Sequence, residues 1–138
     1  EVFEPGFTTE EVWEAVIECG GNKAPGPDGF SMVCIQICWK FIKSDFFDFM
    51  KEFYHHGKLV RGLNNSFITI VPQKKCPSGL TDYRPISLVG VSYKILAKVL
   101  SRRLKKVLLD IISEVQTAFL GGRNILDGVM ITNEVVDW

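Results

Sequence analysis

The sequence predicts a mixed α+β fold in which helices surround a short antiparallel β-hairpin. Three observations lead to this prediction. Residues 67–71 are β-branched or aromatic throughout, which is typical of a strand, and Pro72 ends that run. A Pro-Ser-Gly turn and a second short strand follow, up to Leu88. On both sides of this hairpin, apolar residues recur at helical spacing.

The first helix is predicted from its start and stop signals. Thr8 and Glu11 have the spacing of a capping box, and Gly20 with Gly21 predicts the end of the helix. The segment 22–29, NKAPGPDG, follows. Its two prolines and two glycines predict an irregular loop of defined shape.

The next segment is predicted to form two helices. A helical pattern runs from Ser31 to Phe41, and a second one begins after Ser44, which is a good N-cap residue. It ends at His56-Gly57. The adjacent histidines are typical of a helix C-terminus, where their charge is favourable.

A long amphipathic helix is predicted after the hairpin, from Ser92 to about Ile112. Its apolar stripe is accompanied by cations at every fourth residue, namely Lys94, Lys98, Arg102 and Lys106. A turn at 121–124 and a final helix from near Ile125 to the last residue complete the prediction.

The distribution of charge indicates an anionic partner. The net charge of the 138 residues is zero, yet residues 74–106 contain nine Lys or Arg against one acid, Asp82. Such a patch is typical of a nucleic-acid-binding surface. The alternative is that the helix cations are simply solvated.

The four cysteines have no CxxC spacing, so we expect no structural zinc site and no other metal site. We expect reduced, mostly buried thiols of an intracellular protein. Neither a signal peptide nor a membrane-spanning run is apparent, and no membrane partner is expected.

Several motifs in a fixed order carry a resemblance to a known family. They are KAPGPDG at 23–29, the strand with its lysines at 67–75, DYRPISL at 82–88, Tyr93-Lys94, Gln116-x-x-Phe119 and Gly122-Arg123-x-Ile125-x-Asp127. From about Phe7 to its end, the chain resembles the reverse transcriptase of LINE-type (non-LTR) retrotransposons. It is most similar to the elements common in plant genomes.

The resemblance implies the fingers and the start of the palm of a right-hand polymerase, and therefore an incomplete domain. Within a partial reverse transcriptase domain at 1–138, it implies four segments. They are the N-terminal helix and KAPGPDG loop at 1–30, a helical fingers segment at 31–65, the fingers hairpin at 66–90, and a helical segment leading into the palm at 91–138.

The resemblance also implies two groups of binding residues. Arg84, with Lys74 or Lys75, would hold the triphosphate of the incoming nucleotide. Template or other nucleic-acid contacts fall on Lys23, Lys94, Lys98, Arg102, Gln116 and Arg123. The residues alone leave open an ion pair between Arg84 and Asp82 or a flanking acid. The family usually has lysine directly after the strand's proline, where this chain has Gln73, so either the turn absorbs the shift or a phosphate contact is lost.

The resemblance places the catalytic, metal-binding aspartates beyond the C-terminus. Phosphoryl transfer needs two metal ions held by carboxylates, and the chain has no Asp-Asp pair. We therefore expect a chain that does not polymerise by itself. Its parent would be an RNA-directed DNA polymerase that uses Mg²⁺ and acts in the nucleus or cytoplasm.

The implied partners are an RNA template, a DNA primer, deoxynucleotides and the rest of the palm and thumb. Two alternatives stay open at this point. One is a non-catalytic nucleic-acid-binding remnant of an element. The other is a small helical interaction domain whose cations are solvated.

Overall fold

A computed structural model of the chain describes residues 5–112, except the side chains of residues 109 and 110. Its α-helices are α1 (Thr9–Glu18), α2 (Met32–His56) and α3 (Val91–Ile111), and its strands are β1 (Ser66–Pro72) and β2 (Tyr83–Val89). The predicted α+β class is confirmed. Residues up to Ser101 belong to one compact unit and Arg102 begins a second, and each is described by itself.

Helix α1 begins and ends as its sequence predicts. The Thr8 hydroxyl accepts a hydrogen bond from the backbone N–H of Glu11 at 3.2 Å, which satisfies one of the free donors of the first turn. The acidic side chains of the first turn also favour the positive end of the helix dipole. The apolar face buries Val12, Ala15 and Val16.

Helix α2 is a single helix of 25 residues, so the predicted break before Ser44 is wrong. A serine in a helix interior costs only about 0.5 kcal/mol relative to alanine, and no glycine or proline separates Phe41 from Phe46. The outer ends were predicted correctly. Ser31 caps the N-terminus, and Gly57 in the left-handed conformation (φ +62°) ends the helix.

The predicted hairpin is confirmed, with bounds within about one residue. Strands β1 and β2 pair antiparallel, with Ser66 opposite Val89 and Val71 opposite Arg84. Beyond the last strand pair, the N–H of Gln73 donates to the carbonyl of Asp82 at 2.7 Å, and a 3₁₀ turn at Leu80–Asp82 leads into β2. All seven residues of β1 are exposed to solvent.

The hydrophobic core of the first unit lies between α1, α2 and the first part of α3. Its fully buried members include Val12, Val16, Met50, Ile95 and Val99. Burying each aliphatic side chain contributes about 1.5–3 kcal/mol, so these helices supply most of the hydrophobic stabilisation of the unit. The hairpin contributes none of the fully buried residues.

Helix α3 begins one residue before the predicted Ser92 and ends at Ile111, close to the predicted end. In the second unit, Arg103 is buried, whereas Lys105 and Lys106 are exposed. The turn and helix predicted at 121–138 lie outside the described residues.

Candidate nucleic-acid interface

The tip of the hairpin is organised around the carboxylate of Asp82. Its Oδ1 lies 2.8 Å from Lys74 Nζ, and its Oδ2 accepts hydrogen bonds from the backbone N–H groups of Ser78 at 2.7 Å and Gly79 at 3.2 Å. These contacts lower the pKa of Asp82 below its ordinary value. The bond to Lys74 has the largest effect, followed by the Ser78 N–H. Lys74 is thus engaged in holding the turn.

Arg84 and Lys75 are the uncommitted cations of the hairpin. Both side chains are exposed, and neither forms an ion pair with another residue in the part of the chain that the structure describes. The ion pair between Arg84 and Asp82 is not present, because Asp82 binds Lys74 instead. Opposite residues of an antiparallel pair share a face, so Arg84 projects from the same face as Val71.

Gln73 is the first residue after β1. Gln73 keeps one backbone bond to Asp82, and Lys74 follows in the turn, where strand alternation no longer determines its direction. An exposed Lys75 and an exposed Arg84 flank the turn that Lys74 stabilises. Of the two candidate lysines, Lys75 is the one left available to a ligand.

A second group of cations lines a cleft beside α3. The cleft has a volume of about 370 Å³, and Lys23, Lys94 and Lys98 meet around it. Tyr93 and Ser101 add hydroxyl groups. Met32, Val89 and Ala97 provide an apolar surface. Three of the sequence-predicted nucleic-acid residues are therefore brought together, although Lys23 lies about 70 residues before the other two.

The three lysines differ in how they are held. Lys98 forms an ion pair with Glu18 at 3.1 Å, and Lys94 Nζ donates to the carbonyl oxygen of Ala24 at 3.3 Å. Lys23 is exposed and has no ion-pair partner among residues 5–112. Lys94 is held by a neutral carbonyl and keeps its charge uncompensated, whereas Glu18 compensates the charge of Lys98. The ammonium group of Lys23 is free to bind an anion.

Three predicted contact residues remain, Arg102, Gln116 and Arg123. Arg102 begins the second unit. Gln116 and Arg123 lie outside the described residues.

The thiol in the cleft is not an activated nucleophile. Burial raises the pKa of Cys19, and the nearby charges of Lys98 and Lys23 oppose this shift only in part. All four cysteines are free, as predicted. The prediction that they are mostly buried is wrong, because Cys34 and Cys76 are exposed and the other two are half-buried.

The loop at 22–29 has a structural role that the sequence did not reveal. Asp28 Oδ2 accepts a hydrogen bond at 2.5 Å from the N–H of Val91, the first residue of α3, and Oδ1 accepts from Phe30 N–H at 3.3 Å. Asp28 thereby caps a helix 63 residues away in sequence. The sequence contains one sign of this role. Gly90, directly before α3, has no side chain that could cap the helix, so the cap must come from elsewhere.

Two glycines permit this close approach. A Cβ atom at Gly26 would lie 2.3 Å from the carbonyl carbon and oxygen of Val89, and one at Gly90 would lie 2.8 Å from Asp28 Oδ2. Real Cβ contacts are not this short, so neither position accepts a side chain without movement. The loop is packed directly onto the junction between β2 and α3, and it holds Lys23 at the cleft.

Neither a metal site nor a membrane span is found in the described part of the chain. No group of three or more His, Cys, Asp or Glu side chains is placed there to hold an ion. The Mg²⁺ implied for the complete polymerase thus finds no ligand set among residues 5–112. None of the helices α1–α3 is both long and apolar enough to cross a bilayer.

Comparison with known proteins gives two relatives, both from transposable elements. The chain is 31% identical over 136 residues to the Transposon TX1 uncharacterized 149 kDa protein of Xenopus laevis, covering 99% of this chain and 10% of that protein. It is 27% identical over 126 residues to the Retrovirus-related Pol polyprotein from type-1 retrotransposable element R1 of Bradysia coprophila, covering 89% of this chain and 12% of that protein. The chain is homologous to transposable-element proteins.

This homology confirms the predicted retrotransposon origin. The chain spans only about a tenth of the length of these relatives. No protein-family model matches it. The similarity to elements of plant genomes and the assignment to the polymerase fingers stay predictions.

Proposed function

We propose that the chain is the fingers and early palm segment of a LINE-type reverse transcriptase. In this role it binds the template–primer and the incoming deoxynucleotide. The aspartates that hold Mg²⁺ and carry out nucleotide transfer belong to other parts of the longer protein. The homology to a Pol polyprotein and the order of the sequence motifs support this proposal.

The observation that carries the proposal is the cleft in which Lys23, Lys94 and Lys98 meet. Cations drawn from a loop and from a helix, in one lining with a tyrosine and a serine, suit a phosphate backbone. The bond to the carbonyl of Ala24 keeps the ammonium group of Lys94 at a fixed position, which reduces the side-chain entropy lost on binding.

The hairpin supplies the second part of the proposed function. Arg84 presents a planar guanidinium that can bind two phosphate oxygens at once, and Lys75 adds a second positive charge. The turn between them is held by the Lys74–Asp82 pair. We assign Arg84 and Lys75 to the triphosphate of the nucleotide, and Lys74 to the stability of the turn.

Exposed apolar side chains fit a segment that packs against the rest of a polymerase. Ile37 and Phe41 on α2 are 74% and 85% exposed, and Ile68 on β1 is 74% exposed. Ile37 and Phe41 are four residues apart on one helix and are therefore neighbours on its surface, and adjoining exposed apolar groups generally mark contact sites. We propose that the palm and thumb of the longer protein cover them.

The proposal is tested by measuring binding to an RNA–DNA primer–template at several salt concentrations. The variant Lys23→Ala/Lys94→Ala is compared with Lys58→Ala/Arg61→Ala, which removes the same charge at exposed positions outside the cleft and outside the basic segment 74–106. Loss of two phosphate contacts makes the slope of log K against log salt less steep by about 1.8. Far-UV circular dichroism verifies that both variants are folded.

An equal loss of affinity in both variants would contradict the proposal, because net charge alone would then explain binding. The nucleotide site is tested separately with Arg84→Ala, which we expect to weaken deoxynucleotide binding without changing the salt slope for the primer–template. Unchanged nucleotide affinity would remove Arg84 from the site.

A further inference from the structure

A second cleft lies between α1 and α2, and it shares no lining residue with the lysine cleft beside α3. Its volume is about 580 Å³, within the range of about 300–1,000 Å³ that is usual for ligand sites. Its lining combines aromatic side chains with lysines and two carboxylates, and it includes Trp13, Trp39, Phe47, Lys40, Lys43, Glu10 and Asp48. No motif of the sequence assigned a role to it.

The aromatic side chains form a supported platform. The rings of Trp13 and Trp39 are stacked, with centroids 5.4 Å apart and an angle of 26° between planes. Trp39 also contacts the buried Phe46, whose ring centroid lies 5.8 Å away. Both tryptophans are half-buried, so each is anchored by packing while part of its surface faces the cleft.

Some of the charged side chains around this platform have a partner, and others do not. Lys51 pairs with Asp48 at 3.6 Å and lies over the ring of Phe47, 4.7 Å from its centroid. The carboxylate of Glu10 accepts a hydrogen bond from Thr9 Oγ1 at 3.3 Å. Lys40 and Lys43 are exposed, and they form no ion pair with the residues that the structure describes.

Lys40 and Lys43 are three residues apart on one helix, so their side chains are neighbours on the helix surface. Two free ammonium groups beside tryptophan rings are complementary to a strand whose bases are unpaired. Bases of a single strand expose their faces for stacking, and successive phosphates can meet the lysines. A duplex hides those faces, which disfavours it as the occupant.

We propose that this cleft binds single-stranded nucleic acid, with a base stacked on Trp13 or Trp39 and phosphates held by Lys40 and Lys43. The site is additional to the primer–template cleft of the proposed function. It gives the chain two separate contacts with nucleic acid, one for a paired region and one for an unpaired region.

The test uses tryptophan fluorescence, since the chain has three tryptophans and two of them line the cleft. Trp138→Phe leaves Trp13 and Trp39 as the only reporters. We expect an oligo(U) ten-mer to quench this emission saturably. Lys40→Ala/Lys43→Ala, made in the same background, makes the slope of log K against log salt less steep by about 1.4, since two single-strand contacts are lost. Trp13→Leu weakens binding about tenfold, because one stacking surface is removed.

Two controls separate this site from the proposed function. Lys58→Ala/Arg61→Ala removes two exposed charges elsewhere and leaves the salt slope of the ten-mer unchanged. Lys23→Ala/Lys94→Ala impairs primer–template binding but not quenching by the ten-mer. Circular dichroism verifies the fold of each variant, and Lys40→Gln/Lys43→Gln repeats the test with longer side chains.

Absence of quenching would overturn the proposal. So would a salt slope that Lys40→Ala/Lys43→Ala leaves unchanged, or one that falls equally in the Lys58 and Arg61 control. Failure of the lysine cleft beside α3 to bind a primer–template would leave this result unaffected, because the two sites are measured with different ligands and different variants.

Discussion

Replacing Asp28 with alanine should uncouple the loop at 22–29 from α3. The substitution removes the acceptor for the N–H of Val91, at 2.5 Å, and for that of Phe30, at 3.3 Å. Loss of a helix cap costs about 1 kcal/mol, within a range of about 0.5–2. Loss of a negative charge at a helix N-terminus costs about 0.3–1 kcal/mol more. Because Asp28 is exposed, we take the lower part of this range and expect a total of about 1–1.5 kcal/mol.

The measurement is equilibrium unfolding in urea, followed by far-UV circular dichroism. The midpoint should fall in Asp28→Ala with an unchanged slope. Asp28→Asn should lose much less, because an amide oxygen caps a helix nearly as well as a carboxylate. Asp48→Ala is the control, since its exposed pair with Lys51 contributes less than about 0.5 kcal/mol.

A second substitution tests the packing of the loop at 22–29 against the end of β2. Gly26→Ala would place a Cβ atom 2.3 Å from the backbone of Val89, so the loop or the strand end must move. We expect a loss of about 1–3 kcal/mol, as in other overpacked sites. If Asp28→Ala and Gly26→Ala both unfold at the midpoint of the unmodified chain, the loop does not stabilise the junction and our reasoning fails.

Two further predictions concern the pKa of Asp82 in the hairpin and primer extension by the chain alone. The folded-state pKa of Asp82 is below its ordinary value of 3.8, so its stabilising contribution is fully present above that pH and is lost as pH falls through the lower, folded-state pKa. Lys74→Met should raise the pKa of Asp82 towards 3.8, although the N–H groups of Ser78 and Gly79 keep part of the shift. A carboxyl NMR titration measures it, and an identical pKa in both proteins would show that Lys74 is not the main cause. The chain alone should extend no primer with Mg²⁺ or Mn²⁺, because it has no Asp-Asp pair, and any template-dependent extension in a gel assay would refute this.

Local signals predicted the hairpin and the outer ends of α1 and α2. A β-branched run ending at Pro72 determines β1, and the cap at Thr8 determines the start of α1. The interior of α2 misled the same reasoning. Ser44 resembles an N-cap residue and predicts a new helix, although Ile42 and Phe46 keep helical spacing across it. The structure keeps the helix intact and leaves Phe41 in solvent, since nothing there forbids helical backbone.

The candidate sites were only partly predictable, because their geometry is non-local. The sequence selected Lys23, Lys94 and Lys98 as cations, but only the packing of the loop on the β2–α3 junction brings them to one cleft. The cap at Asp28 joins residues far apart in sequence and follows no local capping rule. The cleft between α1 and α2 was missed because Trp13 and Trp39 lie on two separate helices, and helical spacing within each does not show that their rings stack.

The pairing of β1 with β2 also affects how the chain can associate with other copies of itself. A proline within a strand is tolerated where its nitrogen faces away from the ladder, so Pro85 removes a donor from the outer edge of β2. The outer edge of β1 also loses a donor, at Pro72, but only at the last position of the strand. The rest of β1 is uncharged, rich in β-branched residues and fully exposed, which is the composition of an edge open to strand addition. A third strand would meet an uninterrupted row of backbone donors beside residues 66–71, whereas beside β2 the row is interrupted in its middle at Pro85.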